Sequence, residues 1–372
     1  MKEYTVLTIN PGSTSTKIGV VRGKEVVLDL TIEYKKEDFP GCKTIRDQVP
    51  IRIKQIKNYL EDAGIELSSL DAVSARGVSV QPCEGGTYEI NDLAYEHSYN
   101  NLIKLDHHPA VYAVMMGKLL GDELKIPSYF VNPMPTDELC DVARMTGMKG
   151  IYRPAHSHPL NMKQVAIHHS ELLGKKYTEC NYVVLHLGGG ISIAAHQKGK
   201  AIDCTRSGDC QGPIQPNRCG DFCVDDFKNY IKDRGLTPEE GLEHCISIKG
   251  GFIDMLGTDD IRVIKSEMVE KGNKYAKLCL DAMEYSIVKW AAMMAGALKG
   301  AVDGVLITGG MAKDPELTKQ LTEDLSWIAP VYTYPGSFET EALGFGAIRV
   351  LSGEEEAKTY TGVPVFTGFE YE

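Results

Sequence analysis

Two short segments of this chain concentrate residue types suited to holding an anion. Gly12-Ser13-Thr14-Ser15-Thr16 follows one apolar run, and Gly188-Gly189-Gly190 follows another. A bound phosphate needs several N–H donors pointing inward with no side chain in the way, and glycine-rich hairpin turns offer both. The first turn adds hydroxyl donors, while the second exposes its backbone more fully. Neither segment reads G-x-x-x-x-G-K-[ST] or G-x-G-x-x-G, so the P-loop and dinucleotide-binding patterns are set aside. A third glycine element, Leu306-Ile307-Thr308-Gly309-Gly310-Met311-Ala312, joins an apolar strand to a helical stretch. Glycines there admit a flat ligand such as a nucleoside, although a plain strand-to-helix turn uses the same residues.

The elements that must position these turns alternate between strand and helix. Strand-like runs fall at 6–9, 17–21, 25–30, 72–74, 129–131, 182–187, 191–195, 304–308 and 331–334. Helical stretches fall at 51–63, 110–120, 137–145, 162–173, 259–271 and 275–298. Thr237-Pro238-Glu239-Glu240 reads as an N-cap, a proline at the first helical position and a capping-box acid. Such alternation predicts an α/β fold with mixed sheets. Residues 6–26 also match 182–202 without gaps at an offset of 176. Asn10 falls on His186, Gly12 on Gly188, and Gly23-Lys24 on Gly199-Lys200. Both copies read as strand, Gly/Ser turn, strand, tight Gly-Lys turn, strand. A chain of 372 residues exceeds one ordinary core, so two like domains are expected. The repeat draws the line near residue 176, giving domains at 1–176 and 177–339, with a C-terminal helix at 340–372 joining the first. Two phosphate-type turns in register, one per domain, suit a ligand whose phosphates bridge the domains.

Composition narrows the function classes. With 43% hydrophobic and 24% charged residues the chain reads as an ordered globular protein. A net charge of −11 argues against nucleic acid or an anionic membrane as partner. It leaves an anionic small molecule open, because local N–H donors and a few arginines hold phosphates despite the global field. The chain passes from Met-Lys-Glu straight into a strand, and no apolar run approaches the roughly 20 residues that span a bilayer, so a cytoplasmic protein is expected. Ten cysteines are present, but only Cys219 and Cys223 approach the close pairing of zinc ligands. They read as structural or incidental thiols. His156, His158, His168, His169 and His196 likewise lack zinc spacing and read as surface or satisfied core histidines, with His158, followed by Pro-Leu-Asn161, the one exception to test.

Taken together, N-x-G-S-x-S, H-x-G-G-G and T-G-G resemble the acetate kinase branch of the actin/sugar-kinase/Hsp70 superfamily. The resemblance is nearest to the butyrate kinase, or branched-chain fatty acid kinase, family. It rests on 9–17, Gly85-Gly86-Thr87-Tyr88, 186–192, Leu256-Gly257-Thr258, Ile328-Ala329-Pro330-Val331 and Tyr334-Pro335-Gly336, in family order over nearly the whole chain. It implies duplicated actin-like (ribonuclease H-like) domains with mixed five-stranded sheets and an inter-domain cleft. It further implies ATP/ADP and Mg²⁺, a small carboxylic acid or acyl phosphate, and a homodimer or higher homo-oligomer.

By position, Asn10, Gly12, Ser13, Ser15 and Lys17 match the first phosphate turn of that family. His186 with Gly188, Gly189 and Gly190 matches the second. Asp260, Arg262, Gly309 and Gly310 match the adenosine segment, and Arg76 the arginine that pairs with the substrate carboxylate. Arg218 matches the arginine that stabilises the transferring phosphoryl group, and Glu339 or Glu341 a carboxylate near magnesium. A carboxylate nucleophile is already ionised at pH 7, its ordinary pKa lying near 4, so no general base is required. Positioning and charge neutralisation are the remaining tasks.

Three departures bear on the substrate. Asn132 stands where the family has an aspartate of the active site, with Asp137 or Glu138 near enough to substitute. Around 106–112 the family's histidine position on the substrate side falls to either His107 or His108. The cysteine-rich stretch 204–223 replaces small or polar residues around Arg218. Beside a butyrate or branched-chain acid, these departures keep open an acetate- or propionate-type substrate, or a catalytically weakened nucleotide-binding regulatory paralogue.

Overall fold

The computed structural model describes residues 2–105, 108–206, 208–246 and 249–370. Backbone contacts divide the chain into two compact units. The first comprises Met1–Asp137, Pro159–Gln164 and Phe338–Glu372, and the second Glu138–His158 and Val165–Ser337. This grouping differs from a line at 176, and local bonding explains why. Cys140 N–H donates to Ile202 O, Glu138 accepts from Ala201 N–H, and Arg153 reaches Asp203 and Cys204 O, so the stretch after 137 is pinned to a strand of the second unit.

The strands are β1 (Thr5–Pro11), β2 (Ser15–Arg22), β3 (Glu25–Glu33), β4 (Ala72–Ala75), β5 (Thr87–Glu89), β6 (Ser128–Val131), β7 (Asn181–Leu187), β8 (Ile191–Gln197), β9 (Lys200–Cys204), β10 (Gly304–Gly309), β11 (Val331–Pro335) and β12 (Lys358–Thr359). The first unit's sheet runs β12-β5-β6-β4-β1-β2-β3 and the second's β11-β10-β7-β8-β9. In both, a three-stranded antiparallel meander continues into two parallel strands: β3-β2-β1-β4-β6 in one unit and β9-β8-β7-β10-β11 in the other. The first sheet has seven strands rather than the expected five, because β5 and the two-residue β12 extend its edge. Both are too short to leave a periodic signal in sequence.

The repeat survives in register, with one change. β1 and β7, and β2 and β8, start at positions 176 apart. Pairing differs by one residue, however: Pro11 faces Thr16, whereas Leu187 faces Ile191. The bare-glycine turn is therefore one residue tighter than the Ser/Thr turn. Each sheet is covered by helices carrying apolar faces. Ile53, Ile56 and Leu60 of the helix Val49–Asp62 pack on Leu7, Ile9 and Val20, while Met283, Ile287 and Trp290 of Lys274–Ala297 pack on Val183, Leu185 and Val305.

The capping box before Pro238–Ile246 forms reciprocally, Thr237 N–H to Glu240 Oε2 at 2.8 Å and Glu240 N–H to Thr237 Oγ1 at 3.2 Å. Two expected helices are altered. The one at 137–145 shrinks to Asp141–Arg144, and the one at 259–271 becomes Ile261–Val263 followed by a wider-wound Ile264–Val269.

Candidate active site

In the first unit, β1 and β2 deliver the Gly12–Ser15 turn, closed by Gly12 N–H donating to Ser15 O at 2.8 Å. Beneath it lies Arg52, which sequence reading missed. The residue is only 1% exposed, and its guanidinium donates to Ser15 O and Thr16 Oγ1 at 3.0 Å and to Gly12 O and Ser13 O at 3.4 Å. Tyr34 and Phe39 stack at 4.4 and 5.1 Å from it. Burial pushes its pKa down, but an arginine stays charged in practice. By occupying the turn's carbonyl oxygens, Arg52 leaves N–H groups as the turn's remaining offer and places a positive charge behind it. The available signal was an arginine on the apolar face formed by Val49, Ile53, Ile56 and Leu60.

At the end of β1, Asn10 Nδ2 donates to Glu339 Oε2 at 2.7 Å, and Arg76 Nη1 reaches Asn10 Oδ1 at 3.3 Å and both Glu339 oxygens at 3.1 Å. Among the described residues the side-chain hydrogen bonds of Arg76 all use Nη1 and none uses the Nε–Nη2 edge. That edge matches a carboxylate in bidentate geometry. Glu339 opens the helix Glu339–Leu351, whose start is set by Phe338 N–H donating to Asn161 Oδ1 at 2.7 Å. Two residues along a helix lie on different faces, so Glu339 rather than Glu341 meets Asn10. Lys17 pairs with Asp29 at 3.0 Å. Asn132 sits at φ +37°, donates its N–H to Gly86 O at 2.9 Å and accepts Gly86 N–H on Oδ1 at 2.8 Å. Its amide closes the Gly85-Gly86 turn, and asparagine tolerates this left-handed backbone better than most residues. His108 Nδ1 accepts from Ala110 N–H at 3.2 Å as a helix cap, and His107 lies outside the described residues.

In the second unit, β7 ends at His186 and Leu187 before the Gly188–Gly190 turn. His186 stacks on His158 at 4.1 Å and 10°, and His158 Nδ1 bonds Ser192 Oγ at 2.8 Å. His158 is thus packed directly against His186, a neighbour that its position in the sequence did not show. Arg218 is held by Nε donation to Ile246 O at 3.1 Å, and a Cβ on Gly190 would lie 2.9 Å from its Nη1, so guanidinium and turn are in contact. Burial lowers the Arg218 pKa. Gly251 braces this loop at φ +62°, where a Cβ would come within 2.0 Å of Gln215 O. A cavity of about 680 Å³ opens beside the turn, lined by Gly188, Gly189, Asp260, Arg262, Gly310 and Asp314 among others. Gly309 takes φ +98° where a Cβ would meet Leu187 O at 2.3 Å, so only glycine carries β10 into this wall. Asp260 and Arg262 pair at 2.7 Å at the rim, and that hydrogen bond draws the Asp260 pKa down to about 2.

The cysteines group differently from their spacing. Cys223 is exposed, while Cys219 lies with Cys210 and Cys245. Hydrogen bonding to Cys210 and burial push the Cys219 thiol far up, and burial raises Cys245 to about 11.

Two α/β units with the same strand order, each carrying a glycine-bearing turn, define a class of fold, and comparison with known proteins identifies the family. The chain matches the model of the acetokinase family over residues 141–326. It is 40% identical over 357 residues to a probable butyrate kinase of Clostridium botulinum (strain Eklund 17B / Type B), covering 96% of this chain and 99% of that one. A probable butyrate kinase of Listeria innocua is 36% identical over the same spans. The crystal structure of Porphyromonas gingivalis acetate kinase superposes with a TM-score of 0.78 at 20% identity, covering 94% of this chain and all of that one. A propionate kinase from Francisella tularensis gives 0.72 at 16% identity, covering 92% and 98%. The chain belongs to the acetokinase family and has its duplicated actin-like fold.

Proposed function

We propose that this chain uses ATP to phosphorylate a short-chain fatty acid, butyrate or a branched-chain acid, giving an acyl phosphate and ADP, reversibly. The observation that carries the reading is Arg76, braced through Nη1 by Asn10 and Glu339, which leaves its Nε–Nη2 edge for the acid in this reading. An acid bound there is ionised and needs no base. Its oxygen attacks the γ-phosphorus in line while the bond to the β-phosphate oxygen breaks. The turns at Gly12–Ser15 and Gly188–Gly190 hold phosphate oxygens through N–H groups, and Ser13, Ser15 and Lys17 add donors. Arg218, His186 and the His158 stacked on it meet the charge that develops on the transferring group. The cavity beside Asp260, Arg262, Gly309 and Gly310 takes the nucleoside.

Magnesium fits as an ion carried by the nucleotide. Glu339 offers a hard carboxylate oxygen beside Asn10, and the remaining ligands would be phosphate oxygens and water. When bound it would neutralise phosphate charge. Asp137 and Glu138 need not stand in for an aspartate at 132, because Asn132 has a structural task in the Gly85-Gly86 turn. The same reading takes the protein to be cytoplasmic and a homodimer or higher homo-oligomer; no helix among the described residues is long and apolar enough to cross a membrane.

The test is hydroxamate trapping of acyl phosphate over a panel from acetate to isovalerate, with ATP and Mg²⁺. Highest kcat/KM for butyrate or a branched acid is expected. A maximum at acetate or propionate would move the assignment to that acid, and nucleotide binding without turnover on any acid would replace the enzyme with a regulatory protein.

A further inference from the structure

The Sγ atoms of Cys210, Cys219 and Cys245 all lie within 4.8 Å of one another. They come from two loop positions and from a helix, Pro238–Ile246, so tertiary structure alone assembles them. Cys210 and Cys219 approach to 3.2 Å, and Cys219 N–H donates to Cys245 O at 3.4 Å. Cys210 holds φ at +57°, a left-handed backbone that side-chain-bearing residues rarely adopt. A metal with Zn–S bonds of about 2.3 Å sets sulfur atoms roughly 3.8–4 Å apart, so three thiolates at this spacing need only small rotamer changes to share one ion. A cavity of about 300 Å³ reaches Cys219 and Cys245, and Asp226, Asp254 and His244 stand in its walls. These carboxylates favour entry of a cation and disfavour an anion.

We infer that Cys210, Cys219 and Cys245 form a three-thiolate site for a soft divalent cation of the zinc type, entered through this cavity, with the remaining coordination position left to water. Binding releases the three thiol protons to solvent, and no electron is transferred. Because Cys219 follows Arg218, and because both Cys219 N–H and Arg218 Nε donate to carbonyls at the end of the helix that carries Cys245, a bound ion would clamp the Arg218 loop to that helix. The inference stands whichever acid the enzyme phosphorylates. A disulfide between Cys210 and Cys219 is the competing chemistry, and it would use two of the three sulfurs.

The full chain, reduced and freed of metal by chelation, is titrated anaerobically with Co²⁺. One equivalent per chain is expected, with thiolate-to-cobalt charge-transfer absorption scaled to three sulfurs and displaced one for one by Zn²⁺. Cys210→Ser and Cys245→Ser should each weaken binding roughly 100-fold or more, as expected for loss of a first ligand, while Cys223→Ser leaves it unchanged. Circular dichroism checks folding, and if a serine variant misfolds the wild-type spectrum decides alone. The inference is overturned by absence of the charge-transfer band in the wild type, by equal loss in Cys223→Ser, or by a native protein lacking two titratable thiols with the two-hydrogen mass deficit of a disulfide.

Discussion

Arg52→Met isolates the device that stiffens the Gly12–Ser15 turn, proposed above to hold phosphate. Methionine keeps most of the aliphatic bulk of the stem but removes the charge and its donors. The turn loses two good hydrogen bonds at 3.0 Å, to Ser15 O and Thr16 Oγ1, and two long ones at 3.4 Å, to Gly12 O and Ser13 O. Counting only the short pair at the usual value for a charged donor gives about 3–6 kcal/mol. Relief of the guanidinium's burial offsets part of that, and about 2–4 kcal/mol of net destabilisation remains. A domain stable by roughly 5–15 kcal/mol survives this loss, so the variant should fold. Part of the loss should appear in ligand binding, since a slack turn must be ordered by the nucleotide. A rise in KM for ATP of about tenfold corresponds to roughly 1.4 kcal/mol. Urea unfolding with and without ATP, and steady-state kinetics with the acid saturating, measure the two parts. Arg52→Lys separates charge from geometry: it keeps a cation but cannot span several carbonyls, so it should recover less than half of the lost stability. An unchanged urea midpoint together with a KM for ATP within twofold of wild type would refute the argument.

Three further outcomes follow from the geometry. Arg218→Ala should lower kcat by roughly a thousandfold or more with a much smaller change in KM for ATP, the pattern of a group acting on the transition state; equal loss in both parameters would assign it to nucleotide binding. Asn132→Ala should cost about 2 kcal/mol, combining the Gly86 hydrogen bond at 2.8 Å with the left-handed backbone, and Asn132→Gly less because glycine tolerates that φ; denaturant midpoints rank the two. His169, buried and with Nδ1 on Tyr334 Oη at 2.6 Å, has its pKa depressed by burial and then by His168. Its folded pKa therefore lies below the ordinary value near 6.5, so the unfolded chain binds the proton first. Stability should fall as pH drops from about 6.5 through the folded pKa, by at most about 1.4 kcal/mol per pH unit, and His169→Gln should flatten that slope in pH-dependent melting.

Much of this molecule was legible in its sequence, for reasons of periodicity and close approach. The apolar runs before Gly12 and Gly188 become β1 and β7, and the constant offset becomes a repeated strand order, because strands and tight turns are local and leave a local pattern. The third glycine element was legible as a glycine pair closing an apolar run, while only the fold shows that a Cβ on Gly309 would strike Leu187 of β7. Sequence could not show what long-range packing assembles. β5 and β12 are too short to carry a period. Arg52 drew no notice in sequence, and only the folded chain places it beneath a turn 36 to 40 residues away. Asn132 looked like a lost carboxylate, and only the backbone around Gly86 gives its amide a task. Spacing paired Cys219 with Cys223, whereas folding turns Cys223 outward and brings in Cys210 and Cys245. The candidate residues were written in the chain as types and intervals; which of them meet was decided by tertiary structure, because contact across tens of residues depends on how sheets and helices pack and not on any local preference.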